Sequence, residues 1–260
     1  MMLNAKKAEE ALNTYLRLHT FPVALRLVER GEKLPSSYQK LTVRPSPMPI
    51  CQGISLVRRY GWKVLLGPAE MTCPLGALAM GFVPPKEAYM SGEAEVPYWV
   101  RTKQARAKIA ANLPKLAHGK YEWLIAAPLG QADFEPQLVL VYGNPAQMMR
   151  LVQSVIYLTG EPVVSNTLGA VGCGTYIAKA LMTGECQMVV CGAGDRIFAL
   201  TQDDEMVFAV PAGKMEEVLA GLEETHRYGM RYPVSSYLRF SPELPGTYQE
   251  LMATLVATED

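Results

Sequence analysis

Four of the five cysteines bound two segments that resemble one another. The first runs Cys51-Gln52-Gly53-Ile54-Ser55-Leu56-Val57-Arg58-Arg59-Tyr60-Gly61, continues through Lys63-Val64-Leu65-Leu66-Gly67 and reaches Cys73. The second runs Cys173-Gly174-Thr175-Tyr176-Ile177-Ala178-Lys179-Ala180-Leu181, then Gly184 and Gln187-Met188-Val189-Val190, and reaches Cys191. Each reads as cysteine, short helix, glycine stop, apolar strand, cysteine. If the two halves pack face to face, four thiolates meet at one point. Four thiolates bind an iron–sulfur cubane or zinc. The leading expectation is a [4Fe-4S]-type cluster on Cys51, Cys73, Cys173 and Cys191, with zinc as an alternative. No Cys-x-x-Cys knuckle or ferredoxin-like run is present, so the ligands must come from distant loops. The fold itself must then meet the entropy of closing those loops.

Neighbouring residues add to this expectation. Pro74 follows Cys73, as proline often follows a cluster cysteine. Gly174 and Gly192 adjoin Cys173 and Cys191, where a missing side chain lets backbone N–H groups approach sulfur. Arg196, with Arg58 and Arg59, would offset the remaining negative charge. Cys186 opens an apolar strand and reads as a packing cysteine.

Other chemistries stay open. Cys173 or Cys191 near a helix start would suit a lone nucleophile in a metal-free thiol enzyme. The 14 methionines, with Pro84-Pro85-Lys86 and Tyr98-Trp99, would suit an apolar pocket for a haem, a corrinoid or a quinone. Gly192-Ala193-Gly194-Asp195-Arg196 lacks the third glycine and the helix of a dinucleotide turn and reads as a tight turn. Asn144-Pro145 caps a helix and could hold an anion, although plain capping accounts for it. His19, His118 and His226 stand apart in polar surroundings and read as surface residues.

The elements that must position these residues follow from pattern. Residues 2–19 have helical spacing, and Val23, Leu25 and Leu27 alternate as in a strand. A helix follows Cys51 and stops at Gly61, and Trp62 to Leu66 is a buried strand. Residues 31–48 and 83–100 read as irregular. Arg101 to Leu113 is helical, and strands span Trp123 to Pro128 and Gln137 to Tyr142. Asn144-Pro145 opens a helix that stops at Gly160. Ile197 to Leu200 and Glu205 to Val210 read as strands, and 211–225 and 247–258 as helices. This order predicts an α/β or α+β fold with a mixed sheet flanked by helices. We expect a single domain over 1–260, built from two loosely related halves, about 1–115 and 116–260.

Composition narrows the function classes. The chain has 260 residues with 25 basic and 25 acidic side chains. Nothing in that balance suggests nucleic acid. No apolar stretch reaches the roughly 20 residues that span a bilayer. Met1 to Glu10 is too polar for a secretory signal, so a cytoplasmic protein is expected. Five widely spaced cysteines in a reducing compartment favour ligation or free thiols over disulfides. Phe82, Val83, Tyr89, Tyr98 and Trp99 on exposed loops suggest a homo-oligomer.

Several motifs together resemble one known family. Ala69-Glu70-Met71-Thr72-Cys73-Pro74-Leu75-Gly76-Ala77-Leu78-Ala79-Met80-Gly81-Phe82 is similar to the central motif of the uncharacterised domain-of-unknown-function family numbered one hundred and sixty-nine. Ala127-Pro128-Leu129, the run Gly143 to Leu151, and Cys191-Gly192-x-Gly194-x-Arg196 resemble its further signatures. The likeness covers about residues 10 to 225. It implies a prokaryotic protein, common in anaerobes and archaea, without a settled activity. It also implies cysteine at positions 51, 73, 173 and 191, leaving Cys186 apart. The resulting expectation is electron transfer, or redox chemistry on a small molecule beside the cluster, with the redox partner or substrate unnamed.

Overall fold

Asn4 caps the first helix by accepting from the Lys7 amide at 3.1 Å, and Ala8, Leu12 and Leu16 fall on its buried face. The computed structural model describes residues 3–39, 47–94, 99–235 and 245–256. This helix, α1 (Ala5–Leu16), leads into β1 (Val23–Glu29). Next come α2 (Ser36–Gln39), α3 (Ile50–Tyr60), β2 (Val64–Leu66), α4 (Pro74–Ala79), α5 (Glu87–Met90) and α6 (Lys103–Asn112). Then follow β3 (Tyr121–Pro128), β4 (Leu138–Gly143) and α7 (Pro145–Thr159). A π-helix (Gly174–Lys179) runs into α8 (Ala180–Thr183) and β5 (Gln187–Val190). The chain ends with α9 (Ala193–Ala199), β6 (Met206–Pro211), α10 (Met215–Arg227) and α11 (Gly246–Val256).

The six strands form one sheet in the order β2-β3-β1-β4-β6-β5, and every ladder is antiparallel. The fold is therefore mixed α/β in its α+β form. Val23, Leu25 and Leu27 point to one face, under α3, α4 and the π-helix. Ala24, Val139 and Phe208 point to the other, under α1, α7 and α10. Strand alternation thus feeds both faces, and a smaller third cluster gathers Val28, Tyr38, Leu65 and Ile125. Among the described residues no helix is long and apolar enough to cross a membrane.

The register has a twofold symmetry. At the centre Val23 pairs with Leu140, Ala24 with Val139 and Leu25 with Leu138. Exchanging Val23 for Leu138 and Leu25 for Leu140 returns the same pairs. The outer ladders obey the same exchange: Val23↔Pro128 matches Leu138↔Pro211, and Val64↔Ala126 matches Gln187↔Ala209. A short 3-10 turn follows both β3 and β6, at Leu129–Gln131 and Ala212–Lys214. Gly61 and Gly184, at φ 73° and 67°, end the helices that precede β2 and β5. Both need the left-handed backbone that glycine adopts without strain.

Local expectations fail at informative places. Ile197 to Leu200 is not a strand; Ile197 to Ala199 form the last turn of α9. Asp195 accepts from the Gly192 amide at 2.9 Å and starts a helix there, against the β-branched and aromatic content that follows. The run from Gly192 to Arg196 is thus a helix start as well as a turn. Residues 36–39 and 87–90 are short helices inside segments expected to be irregular. Phe82 is buried in the sheet core, and Tyr89 lies beneath the Arg106 guanidinium, whose carbon is 4.5 Å from the ring centroid. Val83 and Trp99 are exposed, and Tyr98 lies outside the described residues.

Candidate functional site

Each of the four cysteines sits at the start of a helix. Cys51 lies in the first turn of α3, and Cys73 is the N-cap of α4. Cys173 directly precedes the π-helix, and Cys191 stands one residue before the cap of α9. Cys173 and Cys191 belong to the first core, and Cys51 and Cys73 sit at the starts of α3 and α4, which cover the same sheet face. Cys186 belongs to the core on the opposite face. In a strand, residues an odd number apart point to opposite sides, which already separates Cys186 from Cys191.

The two halves cross over one another on this face. α3 packs on α9, and the π-helix packs on α4. The Cys51 thiol donates to the Gly194 carbonyl of α9, with sulfur and oxygen 3.5 Å apart. The Gly76 amide donates to Cys73 sulfur at 3.4 Å. Cys51, Cys73 and Cys173 lie within electrostatic reach of each other, since Cys73 acts on Cys51 and both act on Cys173. Tyr142 senses both Cys191 and Cys51. The structure therefore brings the four sequence-selected cysteines into one region. Among the described residues, however, no three His, Cys, Asp or Glu side chains are gathered as the ligands of one metal ion would be.

The repeat is imperfect at one position, and the helix type shows why. Cys51 stands ten residues before Gly61, whereas Cys173 stands eleven before Gly184 (61 − 51 against 184 − 173). The second helix absorbs the extra residue as a π-helix, the usual form of a one-residue insertion in an α-helix.

A buried polar group joins the two cysteine segments of the second half. Tyr176 donates its hydroxyl to Asp195 at 2.9 Å, and the Gly192 amide donates to the other carboxylate oxygen. Both side chains are almost wholly buried. Burial pushes the Asp195 carboxyl up despite these two donors. Burial also pushes the thiols of Cys51 and Cys191 up to about 12, with the Asp195 charge adding to both. Arg196 and Arg58 partly oppose that rise at Cys191. Cys173 is raised for the same reasons, while the nearby Gly174 amide favours its thiolate.

The remaining expected residues divide between local packing and electrostatics. A Cβ on Gly174 would fall 2.7 Å from Leu113 Cδ1, and one on Gly192 would fall 3.3 Å from Ala170 Cα. Their missing side chains therefore admit neighbouring chain segments. Arg196 donates to the Gln202 carbonyl at 2.5 Å while acting on Cys191 through its charge. Arg58 is 1 % exposed, forms two bonds to Glu205 at 2.7 and 3.0 Å, and lies 4.2 Å from the Tyr142 ring centroid. His118 bonds the Gly81 carbonyl, and His226 packs on Tyr15 with an unpartnered buried Nδ1.

Sequence reasoning missed Asp195, Tyr176, Tyr142 and Glu205 as parts of this region. Asp195 had a usable signal, since an acidic residue three places after a glycine suits a helix start. The others carry no local mark.

Comparison with known proteins now adds a family. The model of DUF169, described as "Uncharacterised ArCR", matches residues 11–221. The chain belongs to the DUF169 family. The DUF169 match contains all four cysteines of the site and the crossing helices. An uncharacterized protein of Methanocaldococcus jannaschii is 27% identical over 223 residues, covering 85% of this chain and 92% of its own length. No solved structure matches.

Proposed function

We propose that Cys51, Cys73, Cys173 and Cys191 hold a [4Fe-4S]-type cluster and that the protein serves electron transfer or redox chemistry on a small molecule. The observation that carries this reading is the crossing of α3 on α9 and of the π-helix on α4. Cys51 and Cys73 start helices over the sheet face that buries Cys173 and Cys191, while Cys186 packs on the other face, which supports a shared centre. A single tetrahedral zinc would need sulfurs about 3.8 Å apart, given Zn–S bonds near 2.3 Å. No three His, Cys, Asp or Glu side chains stand at that spacing among the described residues. Amides directed at Cys73 and Cys173, together with Arg196 and Arg58 near Cys191, suit a buried anionic cluster. A metal-free nucleophile is less well supported, since the thiols of Cys51, Cys173 and Cys191 are all raised.

Four cysteine ligands leave no iron open to substrate, which favours electron transfer. The test is anaerobic reconstitution with iron and sulfide, followed by iron and acid-labile sulfide analysis. Cys73→Ser is expected to lose the broad visible absorbance that dithionite bleaches, whereas Cys186→Ser keeps it. Equal behaviour of the two variants, or no bound iron and sulfide in the unaltered chain, refutes the assignment.

A further inference from the structure

A basic cleft lies beside the thiol region and uses none of its cysteines. Its first lobe, of about 480 Å³, is lined by Arg17, His19, Thr20, Arg58 and Arg59 among others. A second lobe of about 250 Å³ shares His19, Thr20 and Arg59 and continues to Asn144 and Gln202. Arg17, Arg58 and Arg59 line the cleft, and its carboxylates are Asp204 and Glu205, both in the second lobe. Glu205 is already engaged by Arg58, Arg59 and the Gln202 amide. The side chains of Arg17 and His19 are exposed, and Arg59 Nε is buried without a partner.

Glu205 and the Leu200 carbonyl hold Arg58 and Arg59, whereas Arg17 and His19 stand exposed at the mouth of the cleft. The last carbonyls of α3 are met by backbone amides: Gly61 bonds Val57, Trp62 bonds Leu56 and Phe21 bonds Arg58. The arginines are therefore not needed as helix caps. Arg17 also ends α1 at φ 51°, a left-handed conformation that costs a non-glycine residue energy. Guanidiniums with donors to spare, as at exposed Arg17 and at Arg59 Nε, suit planar or tetrahedral anions, because their forks match carboxylate and phosphate oxygens.

We propose that this cleft binds a small carboxylate- or phosphate-bearing molecule, with Arg17, His19 and Arg59 as its contacts. Arg58 and Tyr142 form the wall between the bound anion and the cysteines. The proposal stands apart from the cluster reading and survives its failure.

Calorimetric titration of the full chain at low ionic strength tests it, with inorganic phosphate in one arm and acetate in the other. Saturable binding of either anion supports the site, and the arm that responds identifies the headgroup. Arg17→Gln, at an exposed position, is expected to weaken binding about tenfold or more, since a charge-assisted bond is worth more than 1.4 kcal/mol. Arg59→Gln is expected to do likewise, while Lys108→Gln on α6 leaves binding unchanged. Failure of both anions to saturate the unaltered chain overturns the proposal. So does unchanged affinity in Arg17→Gln, which keeps the test decisive even where Arg59→Gln fails to fold.

Discussion

Raising the pH from 8 to 10 should destabilise the iron-free, reduced protein by an amount that the buried thiols set. Burial pushes Cys186 and Cys191 from an ordinary 9.0 up to about 12, and Cys173 well above 9.0. These thiols keep their protons in the fold and release them on unfolding. Their stabilising effect is complete below about pH 9 and is lost as the pH climbs towards 12. One pH unit above the unfolded value costs about 1.4 kcal/mol per thiol. At pH 10 the three together remove about 4 kcal/mol, a large part of the roughly 5–15 kcal/mol that holds a domain. Half-buried Cys51 adds to the same loss. Urea unfolding followed by tryptophan fluorescence, in an anaerobic buffer with chelator and reductant, measures the change. Cys186→Ala, on the far sheet face, should lower the pH-dependent loss by about a quarter without touching the other thiols. A stability that is flat from pH 8 to 10 refutes the reasoning, and with it the view of these cysteines as buried neutral thiols.

Three further outcomes follow from particular contacts. Glu205→Gln removes the charge opposite Arg58, which is 1 % exposed, and should cost about 3–5 kcal/mol in urea unfolding. Gly221→Ala places a Cβ 2.1 Å from the Ser154 carbonyl oxygen where α10 crosses α7, so the helices must part; a loss of about 1–3 kcal/mol and a lower Tm are expected. Tyr176→Phe takes one of two side-chain or amide donors from buried Asp195, and thermal unfolding should report a loss of about 1.5–3 kcal/mol.

Much of the local structure was legible because its causes are local. Asn144-Pro145 starts α7 and Gly160 stops it, through a capping box and a left-handed cap that need only neighbouring residues. Alternation in Val23 to Val28 marked a strand, and its two faces pack into different clusters. The cysteine–helix–glycine–strand repeat was visible too, and the twofold register of the sheet extends it. The extra residue before Gly184 was countable, but nothing local said that a π-helix would take it up.

Tertiary structure alone decided which parts meet. Cys51 reaches Gly194, and Arg58 reaches Glu205, across more than 140 residues of chain. The basic cleft collects its groups from the ends of α1 and α3, the start of α7 and the turn before β6. The all-antiparallel sheet order likewise depends on pairings between strands that are distant in the chain. Backbone propensity acts over a few residues, so local order of residues was enough for the helix stops, the strand faces and the candidate thiols. Whether those thiols share a face, and which charges guard them, follows from long-range packing that no local spacing encodes.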